Sequence, residues 1–385
     1  MDQTSAYLER SKSVPIEVIA VNTLLVPPIN AALELVTPHL GRVRSMRLHP
    51  CFDVSLPAAP SFRSPAPLLQ HLEISGFSRG HILRLPRDFL GCHIPSLLTL
   101  IWDDSSPIPA PFQPGLPFIA DEAPTPLHVV LGLISSAPLL ERLTVSIMDE
   151  NMPLDPSPLH DIRLDSLRYL RLVFGTTLSR ALPRFKVPQL EEFSLFLTRD
   201  VEAPTIADLL PSDSYPLLTK ATSMDFYAGS GNSQVKLSGE GIKVTMGTFL
   251  SRMDNFFIIQ SFSFAQITRL VLRVVAKPMV VKIGEFINLE QLDLVRCLEE
   301  VEVFLTLFPP AGPVSLVLCP RLVGMRVVFC RPTTPTVDSF RRMVRSRKEV
   351  GNPLVAIKLI RFYWVEEILD GDELNEWLNQ TPIHK

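Results

Sequence analysis

One short phrase recurs along this chain: an apolar residue, two residues of any kind, an apolar residue, one residue of any kind, and an apolar residue. The last two apolar positions lie two residues apart, so in a β-strand their side chains point to the same face. One copy cannot bury that face alone, whereas stacked copies pair their strands and share a continuous core. The copies are Val43-Met46-Leu48, Leu69-Leu72-Ile74, Leu97-Leu100-Trp102, Leu140-Leu143-Val145, Leu167-Leu170-Leu172, Leu190-Phe193-Leu195, Ile267-Leu270-Leu272, Leu289-Leu292-Leu294, Leu322-Met325-Val327 and Leu354-Ile357-Leu359.

The phrase is that of a leucine-rich repeat, and its spacing agrees with that class. Between residues 43 and 190 the copies begin 26, 28, 43, 27 and 23 residues apart, and between 267 and 354 they begin 22, 33 and 32 apart. Most intervals lie near the roughly 20–29 residues of this repeat, and the longer ones indicate insertions. The sequence therefore predicts an α/β fold, a leucine-rich-repeat-like solenoid. It should be an irregular horseshoe with a parallel sheet on its concave face and helices and loops on its convex face.

A solenoid needs no division into separate domains, so we predict a single one over residues 1–385. Its irregular parts are an N-terminal cap and lead-in at 1–42, a proline-rich loop insertion at 107–126, an irregular segment with a possible hairpin at 226–266, and a C-terminal capping helix at 364–385. Local patterns add a short polar helix at 2–12, a strand at Ile16–Val21 and a helix at 127–136.

Proline and cysteine take fixed places in the repeat. Cys51, Cys297 and Cys330 each follow the first apolar position by eight residues, and we interpret them as structural repeat cysteines that pack as small apolar side chains. The five cysteines form no Cys-x-x-Cys pair. Their odd number, without a secretory signal, predicts a reducing compartment, cytoplasmic and/or nuclear. Proline closes the connector two residues before the first apolar position at Pro67, Pro95, Pro138, Pro188, Pro216 and Pro320.

Charge and hydropathy argue against two kinds of partner. Lys and Arg number 37 against 40 Asp and Glu, a net charge of −3, whereas a general nucleic-acid binder is usually basic. The apolar stretch from Val14 to Val36 contains Glu17, Asn22, Glu34 and three prolines, so it is not expected to span a bilayer. We therefore expect a protein partner, no nucleic acid and no membrane.

The sequence lacks the common catalytic motifs. It contains no His-Glu-x-x-His, no Gly-x-Ser-x-Gly and no phosphate-loop sequence. His49 and His71 fall on repeat strands, and we interpret them as surface or interface residues rather than as bases. These observations predict a protein that is not an enzyme and has no cofactor and no metal.

One basic segment, running from Arg341 to Lys348, allows two interpretations. Its charges suit a nuclear-localisation signal or a phosphate-binding patch. Val337, Phe340 and Val344 recur at helical spacing, however, so we prefer an amphipathic helix whose charged side chains face solvent.

The residue between the last two apolar positions of each copy should point away from the core, to the concave face. These positions carry mixed chemistry, which suits a protein or peptide partner better than a nucleic acid. The row also contains Ile101, Thr144, Ser194 and Val271. The candidate binding residues are Arg47, Glu73, Arg171, Arg269, Arg273, Asp293, Arg326 and Lys358.

With "YLERSKSVPIEV" at its start and "APLLQHLEIS" and "APLLERLTV" within, the chain resembles the large fungal F-box proteins of mushroom-forming species. In that family a short F-box precedes a leucine-rich-repeat-like region, and the resemblance covers nearly the whole chain after residue 6. It implies the substrate-binding arm of a ubiquitin-ligase adaptor. The family's "LPPEIL"-like opening and "VCRxW" element have no counterpart here. The Skp adaptor is therefore an expected partner only if an upstream F-box exists, and a stand-alone repeat scaffold unrelated to ubiquitin is the alternative.

Overall fold

The computed structural model of the protein describes residues 3–21, 35–49, 63–75, 89–104, 126–147, 161–174, 182–197, 210–228, 233–248, 264–273, 283–295, 319–329, 334–361 and 365–369. The chain forms two compact units: unit 1 is Met1–Ala203 with Asp208–Pro216, and unit 2 is Pro204–Ala207 with Leu217–Lys385. Each unit is α/β, with a mostly parallel sheet and few helices in its described part. A single solenoid over the whole chain stays a prediction.

Unit 1 is built on a parallel sheet. Its described strands are β1 (Ile16–Val21), β2 (Val43–His49), β3 (His71–Ser75), β4 (Thr99–Asp104), β5 (Arg142–Ile147), β6 (Ile162–Arg163), β7 (Tyr169–Phe174), β8 (Phe185–Lys186) and β9 (Glu192–Leu197). The spatial order is β1-β2-β3-β4-β5-β7-β9, and every neighbouring pair runs parallel. Strands β6 and β8 form a separate parallel pair. Apart from β1, each strand of the larger sheet comes from one copy of the repeat.

The apolar repeat positions of unit 1 form the core, as the repeat predicts. In β3 burial alternates along the strand, with Leu72 and Ile74 buried and the residues between them half-buried. Parallel register then aligns the middle apolar residue of each copy with that of the next. That row consists of Met46, Leu72, Leu100, Leu143, Leu170 and Phe193, all without solvent exposure.

A tight turn precedes the repeat strands and explains the proline positions. The N–H of the first apolar residue donates to the carbonyl oxygen three residues earlier, from Leu69 to Ala66 at 3.1 Å and from Leu140 to Ala137 at 3.2 Å. Pro67 and Pro138 are the second residues of these turns. Proline suits that position because its fixed φ matches the turn and its lost N–H is not needed there.

Neighbouring copies are joined just before their strands by one carbonyl group that accepts two backbone hydrogen bonds from the next copy. The carbonyl oxygen of Leu98 accepts the N–H groups of both Glu141 (2.9 Å) and Arg142 (3.0 Å) from the next copy. Glu290 in unit 2 does the same for the copy that follows it, at 3.0 and 2.9 Å. Backbone groups at the strand entrance are thus satisfied, which holds neighbouring copies in register.

The described helices of unit 1 are α1 (Gln3–Arg10) and α2 (Pro126–Ser135), which confirms the helices predicted at 2–12 and 127–136. The strand predicted at Ile16–Val21 is β1. Arg42 binds the end of α1, because it donates to the carbonyl oxygen of Leu8 at 3.3 Å and to Ser11 Oγ at 2.7 Å. The loop predicted at 107–126 lies outside the described residues up to the start of α2.

Unit 2 has a mixed sheet. Its described strands are β10 (Ser223–Ala228), β11 (Ser233–Gly239), β12 (Ile242–Thr248), β13 (Arg269–Leu272), β14 (Gln291–Val295), β15 (Gly324–Phe329), β16 (Ala356–Arg361) and β17 (Val365–Leu369). The order is β12-β11-β10-β13-β14-β15-β16-β17. The series β10, β13, β14, β15 and β16 runs parallel. Strands β11 and β12 form an antiparallel hairpin inside the segment predicted to be irregular.

The first repeat phrase of unit 2 begins three residues later than the sequence suggests. Counted from Leu218, it would place Ala221 and Ser223 in the core. The structure instead has a 3-10 turn at Pro216–Lys220, after which Ala221, Met224 and Phe226 are buried. These three residues are separated by three and then two positions, as in the other copies. The phrase is therefore kept, and the turn moves its start from Leu218 to Ala221.

The C-terminal segment differs from its prediction. Val365–Leu369, inside the capping helix predicted for 364–385, forms β17 and pairs antiparallel with β16 from Arg361 to Ile357. The helix prediction is wrong for these residues, because β16 offers an unpaired edge whose hydrogen bonds a strand can satisfy. The remainder, 370–385, lies outside the described residues.

The described helix of unit 2, α3 (Thr334–Glu349), carries the basic segment. Arg342, Arg345 and Lys348 are exposed, as a solvated helix face predicts. Arg341 and Arg347 are buried, so that prediction is wrong for these two residues.

Arg347 links helix α3 to the turn that precedes β15. Its Nη2 donates to the carbonyl oxygens of Cys319 and Leu322, both at 3.1 Å, and burial lowers the pKa of the guanidinium. Both carbonyl groups belong to the turn that precedes β15. Helix α3 is therefore anchored to the repeat through a charged donor, which makes a strong hydrogen bond.

Candidate functional site

The outer face of each sheet is the face opposite its buried apolar rows. In unit 1 the strand register places one outer-face residue from each repeat strand in a straight row across the sheet. The row consists of Arg47, Glu73, Ile101, Thr144, Arg171 and Ser194. The structure thus brings together the candidate residues that the sequence located in this unit.

A groove of about 340 Å³ opens over the middle of this row, across β4, β5 and β7. It combines two guanidinium groups, a phenol and three hydroxyl groups with an apolar surface of similar extent. Its described lining residues are Thr99, Ile101, Arg142, Thr144, Ser146, Tyr169, Arg171 and Val173. The groove therefore offers both hydrogen-bonding groups and apolar contacts.

The two arginines of the groove are held differently. The guanidinium carbon of Arg142 lies 4.7 Å from the centre of the Tyr169 ring, a cation–π contact that keeps the long side chain over the sheet. Arg171 is exposed. Within the described part of the chain, no carboxylate lies within 4.0 Å of either guanidinium group. Both cations are therefore available to an anionic partner.

Two acidic residues border the groove in the strand register. Asp103 pairs with Ser146, and Glu192 pairs with Tyr169 on the side away from Arg142. The arginines therefore favour an anion over the middle of the groove, and Glu192 disfavours one on the β9 side.

Glu73 is the centre of a separate polar cluster on the same face. Its Oε1 lies 3.8 Å from His49 Nε2, and its Oε2 lies 3.4 Å from His71 Nε2 and 3.9 Å from Arg47 Nε. Ser75 Oγ lies 2.8 Å from His49 Nδ1 and 3.4 Å from Glu73 Oε1. Hydrogen bonds join Ser75 to His49 and Glu73, and His71 to Glu73, whereas Arg47 and His49 approach the carboxylate only at ion-pair distance. Both histidines lie half-buried on the outer face.

In unit 2 the corresponding row is Asp225, Val271, Asp293, Arg326 and Lys358. Arg326 is exposed and forms no ion pair with the described residues. Lys358 takes its place in the row by the backbone register of β15 and β16.

Two other arginines predicted to bind are already paired within unit 2. Arg269 Nη2 donates to Asp293 Oδ2 at 2.9 Å. Arg273 donates to Asp225 from Nε at 3.0 Å and from Nη2 at 2.9 Å, and this hydrogen bonding raises the pKa of the guanidinium. The basic character that the sequence suggests for this region is neutralised by two carboxylates, of which Asp293 was predicted as a binding residue and Asp225 was not.

The three cysteines assigned to the repeat, Cys51, Cys297 and Cys330, lie outside the described residues. Cys319 is buried at the first position of the turn before β15, and its thiol donates to the carbonyl oxygen of Ile283 at 3.4 Å. Burial raises the pKa of this thiol to about 12. A thiol of this kind stays protonated at neutral pH and serves packing.

Five of the eight lining residues were not predicted from the sequence, because the prediction used one outer-face position per copy. The outer face also carries the residues two positions to either side, since the pleat has a period of two. Thr99, Arg142 and Tyr169 stand immediately before the middle apolar residue of their copies, and Ser146 follows the last one. The two-residue period could have identified these outer-face positions from the sequence. It could not have shown which of their side chains contact one another.

The described residues contain no group of three or more His, Cys, Asp or Glu placed to hold a metal ion. None of their helices has the length and apolar composition needed to cross a membrane. No protein-family model, no curated protein and no solved structure matches this chain. The candidate site is therefore argued from the geometry of the outer face.

Proposed function

We propose that the chain is a non-enzymatic protein-recognition module that binds its partner on the outer face of unit 1. The observation that carries this proposal is the groove over β4, β5 and β7, where Arg142, Tyr169 and Arg171 lie together. Arginine and tyrosine are among the residues that dominate protein–protein binding, and neighbouring strands hold them in fixed register. A pre-ordered surface loses little side-chain entropy when a partner binds.

The architecture proposed for this module is a leucine-rich-repeat-like solenoid whose outer face is concave. Its support is that the parallel strands of each unit come from successive copies of one phrase, joined by the same turn and the same shared carbonyl group. Such repeats use their strand face for binding.

We further propose a specific role for this module, as the substrate-binding arm of an F-box-like ubiquitin-ligase adaptor in the cytoplasm or nucleus. Its support is the sequence resemblance. The Skp adaptor would join only through an upstream F-box. A stand-alone scaffold unrelated to ubiquitin is the alternative, and upstream genomic sequence without an F-box in any transcript would favour it.

The binding surface is tested by affinity capture from a fungal lysate under reducing conditions, with quantitative mass spectrometry. The bait is the full chain as wild type, Tyr169→Ala, Arg171→Ala and the control Arg163→Ala, which removes an exposed arginine paired with Asp165 outside the groove. We expect a protein that wild type and control retain and that both groove variants lose. Equal retention by all four, at equal thermal stability, would overturn the proposed surface.

The ubiquitin role is tested in the same lysate with a form extended upstream to any in-frame F-box. Recovery of Skp adaptor and cullin with the extended form alone supports the receptor arm. If neither form recovers them, the ubiquitin role fails and the scaffold alternative is retained.

A further inference from the structure

We infer that the groove of unit 1 binds an extended peptide segment with two carboxylate side chains two residues apart, an acid-x-acid motif. This inference rests on the proposed function, because it names the chemistry of the partner that the groove would bind. It follows from the charge, the spacing and the borders of the groove.

The groove carries positive charge and should therefore bind an anion. Arg142 and Arg171 line it together, and no described carboxylate lies within 4.0 Å of either one. A guanidinium group matches a carboxylate with two parallel N–H···O hydrogen bonds, which is the geometry that gives arginine its preference for carboxylates. The cation–π contact with Tyr169 restrains Arg142, so less side-chain freedom is lost on binding.

The spacing of the two arginines favours two carboxylates. Arg142 is in register with Tyr169, and Arg171 stands two residues farther along β7. With strands about 4.8 Å apart and a rise of about 3.3 Å per residue, the two arginine Cα atoms are about 8 Å apart. In an extended peptide, residues two apart are separated by about 7 Å and point to the same side. Each arginine can therefore take one carboxylate of an acid-x-acid motif.

The rest of the lining suits a peptide backbone and limits the motif to a short one. The hydroxyl groups of Thr99 and Thr144 supply donors and acceptors, and Ile101 supplies an apolar contact. Glu192, beside Tyr169 on the next strand, repels a further carboxylate on that side. A long acidic run is therefore a poorer ligand than a pair of acids.

The competing ligand is a single phosphorylated serine, whose charge of about −1.5 to −2 at neutral pH could also balance the charges of both arginines. We favour the acid pair because two separated guanidinium groups each obtain a bidentate partner from it. The two ligands are distinguished directly by the test.

The test uses immobilised degenerate peptide libraries with fixed central motifs: Asp-x-Asp, Asp-x-x-Asp, Asn-x-Asn and a single phosphoserine. The full chain is applied as wild type, Arg142→Ala, Arg171→Ala and the control Arg163→Ala. We expect wild type and control to prefer Asp-x-Asp over Asn-x-Asn at least about tenfold, as two charged hydrogen-bonded contacts imply. Each groove variant should abolish most of this preference, and Asp-x-x-Asp should bind more weakly than Asp-x-Asp.

Three results would overturn the inference: equal binding of the acidic and amide libraries, a stronger preference for phosphoserine, or a preference unchanged in both groove variants. These results leave the proposed function intact if Tyr169→Ala and Arg171→Ala still lose the captured partner. The converse result, acid-x-acid binding with an unaffected partner, would reject the proposed surface for that partner and keep the peptide site.

Discussion

Arg273 and Asp225, which lie 48 residues apart in the sequence, form a two-pronged ion pair on the outer face of unit 2, with Nε and Nη2 of the arginine donating to the carboxylate. The pair joins β10 to the residue that follows β13. Asp225 therefore neutralises the charge of Arg273, which was predicted from the sequence as a binding residue. The same holds for Arg269 with Asp293, whereas Arg326 forms no ion pair with the described residues.

Breaking this pair should cost little stability. The side chains of Arg273 and Asp225 are 50% and 25% exposed, and ion pairs screened by solvent contribute about 1 kcal/mol or less. A double-mutant cycle with Asp225→Asn and Arg273→Gln, read by urea unfolding, should therefore give a coupling free energy below about 1 kcal/mol. A coupling of several kcal/mol would show that the pair is shielded from solvent.

The core and outer rows of unit 2 should respond oppositely to truncation. Leu292 has no solvent exposure and stands in the middle apolar row, so Leu292→Ala should lower the free energy of unfolding by roughly 2–5 kcal/mol through lost burial and a cavity. Arg326→Ala, on the exposed face of the next strand, should change it by less than about 0.5 kcal/mol. Urea denaturation followed by circular dichroism measures both. Similar losses in the two variants would contradict the observed register.

Gly239 should tolerate no side chain. A Cβ atom there would lie 2.6 Å from the carbonyl oxygen of Lys220, which is backbone and cannot move aside easily. Gly239→Ala should therefore destabilise unit 2 by about 1–3 kcal/mol.

Gly41→Ala is the matched control for that substitution. Nothing lies within 4 Å of its Cβ position, so the change should be neutral or stabilise by up to about 1 kcal/mol. Thermal and urea unfolding provide the comparison. Equal effects of the two substitutions would mean that β11 does not approach the turn at Lys220 as closely as observed.

Cys319 should make stability depend on alkaline pH. Burial raises its pKa from the ordinary value of 9.0 to about 12, so the unfolded state loses the thiol proton first as the pH rises. The corresponding stabilisation is complete below pH 9 and is lost as the pH approaches 12. The free energy of unfolding should fall more steeply from pH 8 to pH 11 in the wild type than in Cys319→Ala.

Alkylation gives an independent measure of the same thiol. With iodoacetamide at pH 8, the peptide containing Cys319 should remain unmodified in the folded protein and react in urea, because the thiolate is the reactive form. Parallel pH profiles of the two proteins, or rapid alkylation of the folded chain, would show that the thiol is not shielded.

Much of the strand architecture follows from local pattern. The spacing of Leu69, Leu72 and Ile74 predicts which side chains enter the core, because an extended chain alternates faces whatever its neighbours are. The prolines mark the turns for a similarly local reason, since the ring fixes φ within one residue. Helices α1 and α2 were also predicted from short stretches of sequence.

Other predictions failed where a distant segment decides the outcome. Part of the capping helix predicted at 364–385 is a strand, Val365–Leu369, because β16 presents an edge there. The buried Arg347 was predicted to be solvated, because nothing within helix α3 reveals the carbonyl groups of Cys319 and Leu322 that it meets.

The period of the repeat, the core-facing residues of each strand and the outer-face row from Arg47 to Ser194 can all be read from the sequence. Which outer-face charges remain available depends on the fold. It paired Arg269 and Arg273 with carboxylates and placed Arg142 over Tyr169 beside Arg171. This difference arises because the pleat acts within one strand, whereas an ion pair depends on which strands become neighbours and in what register.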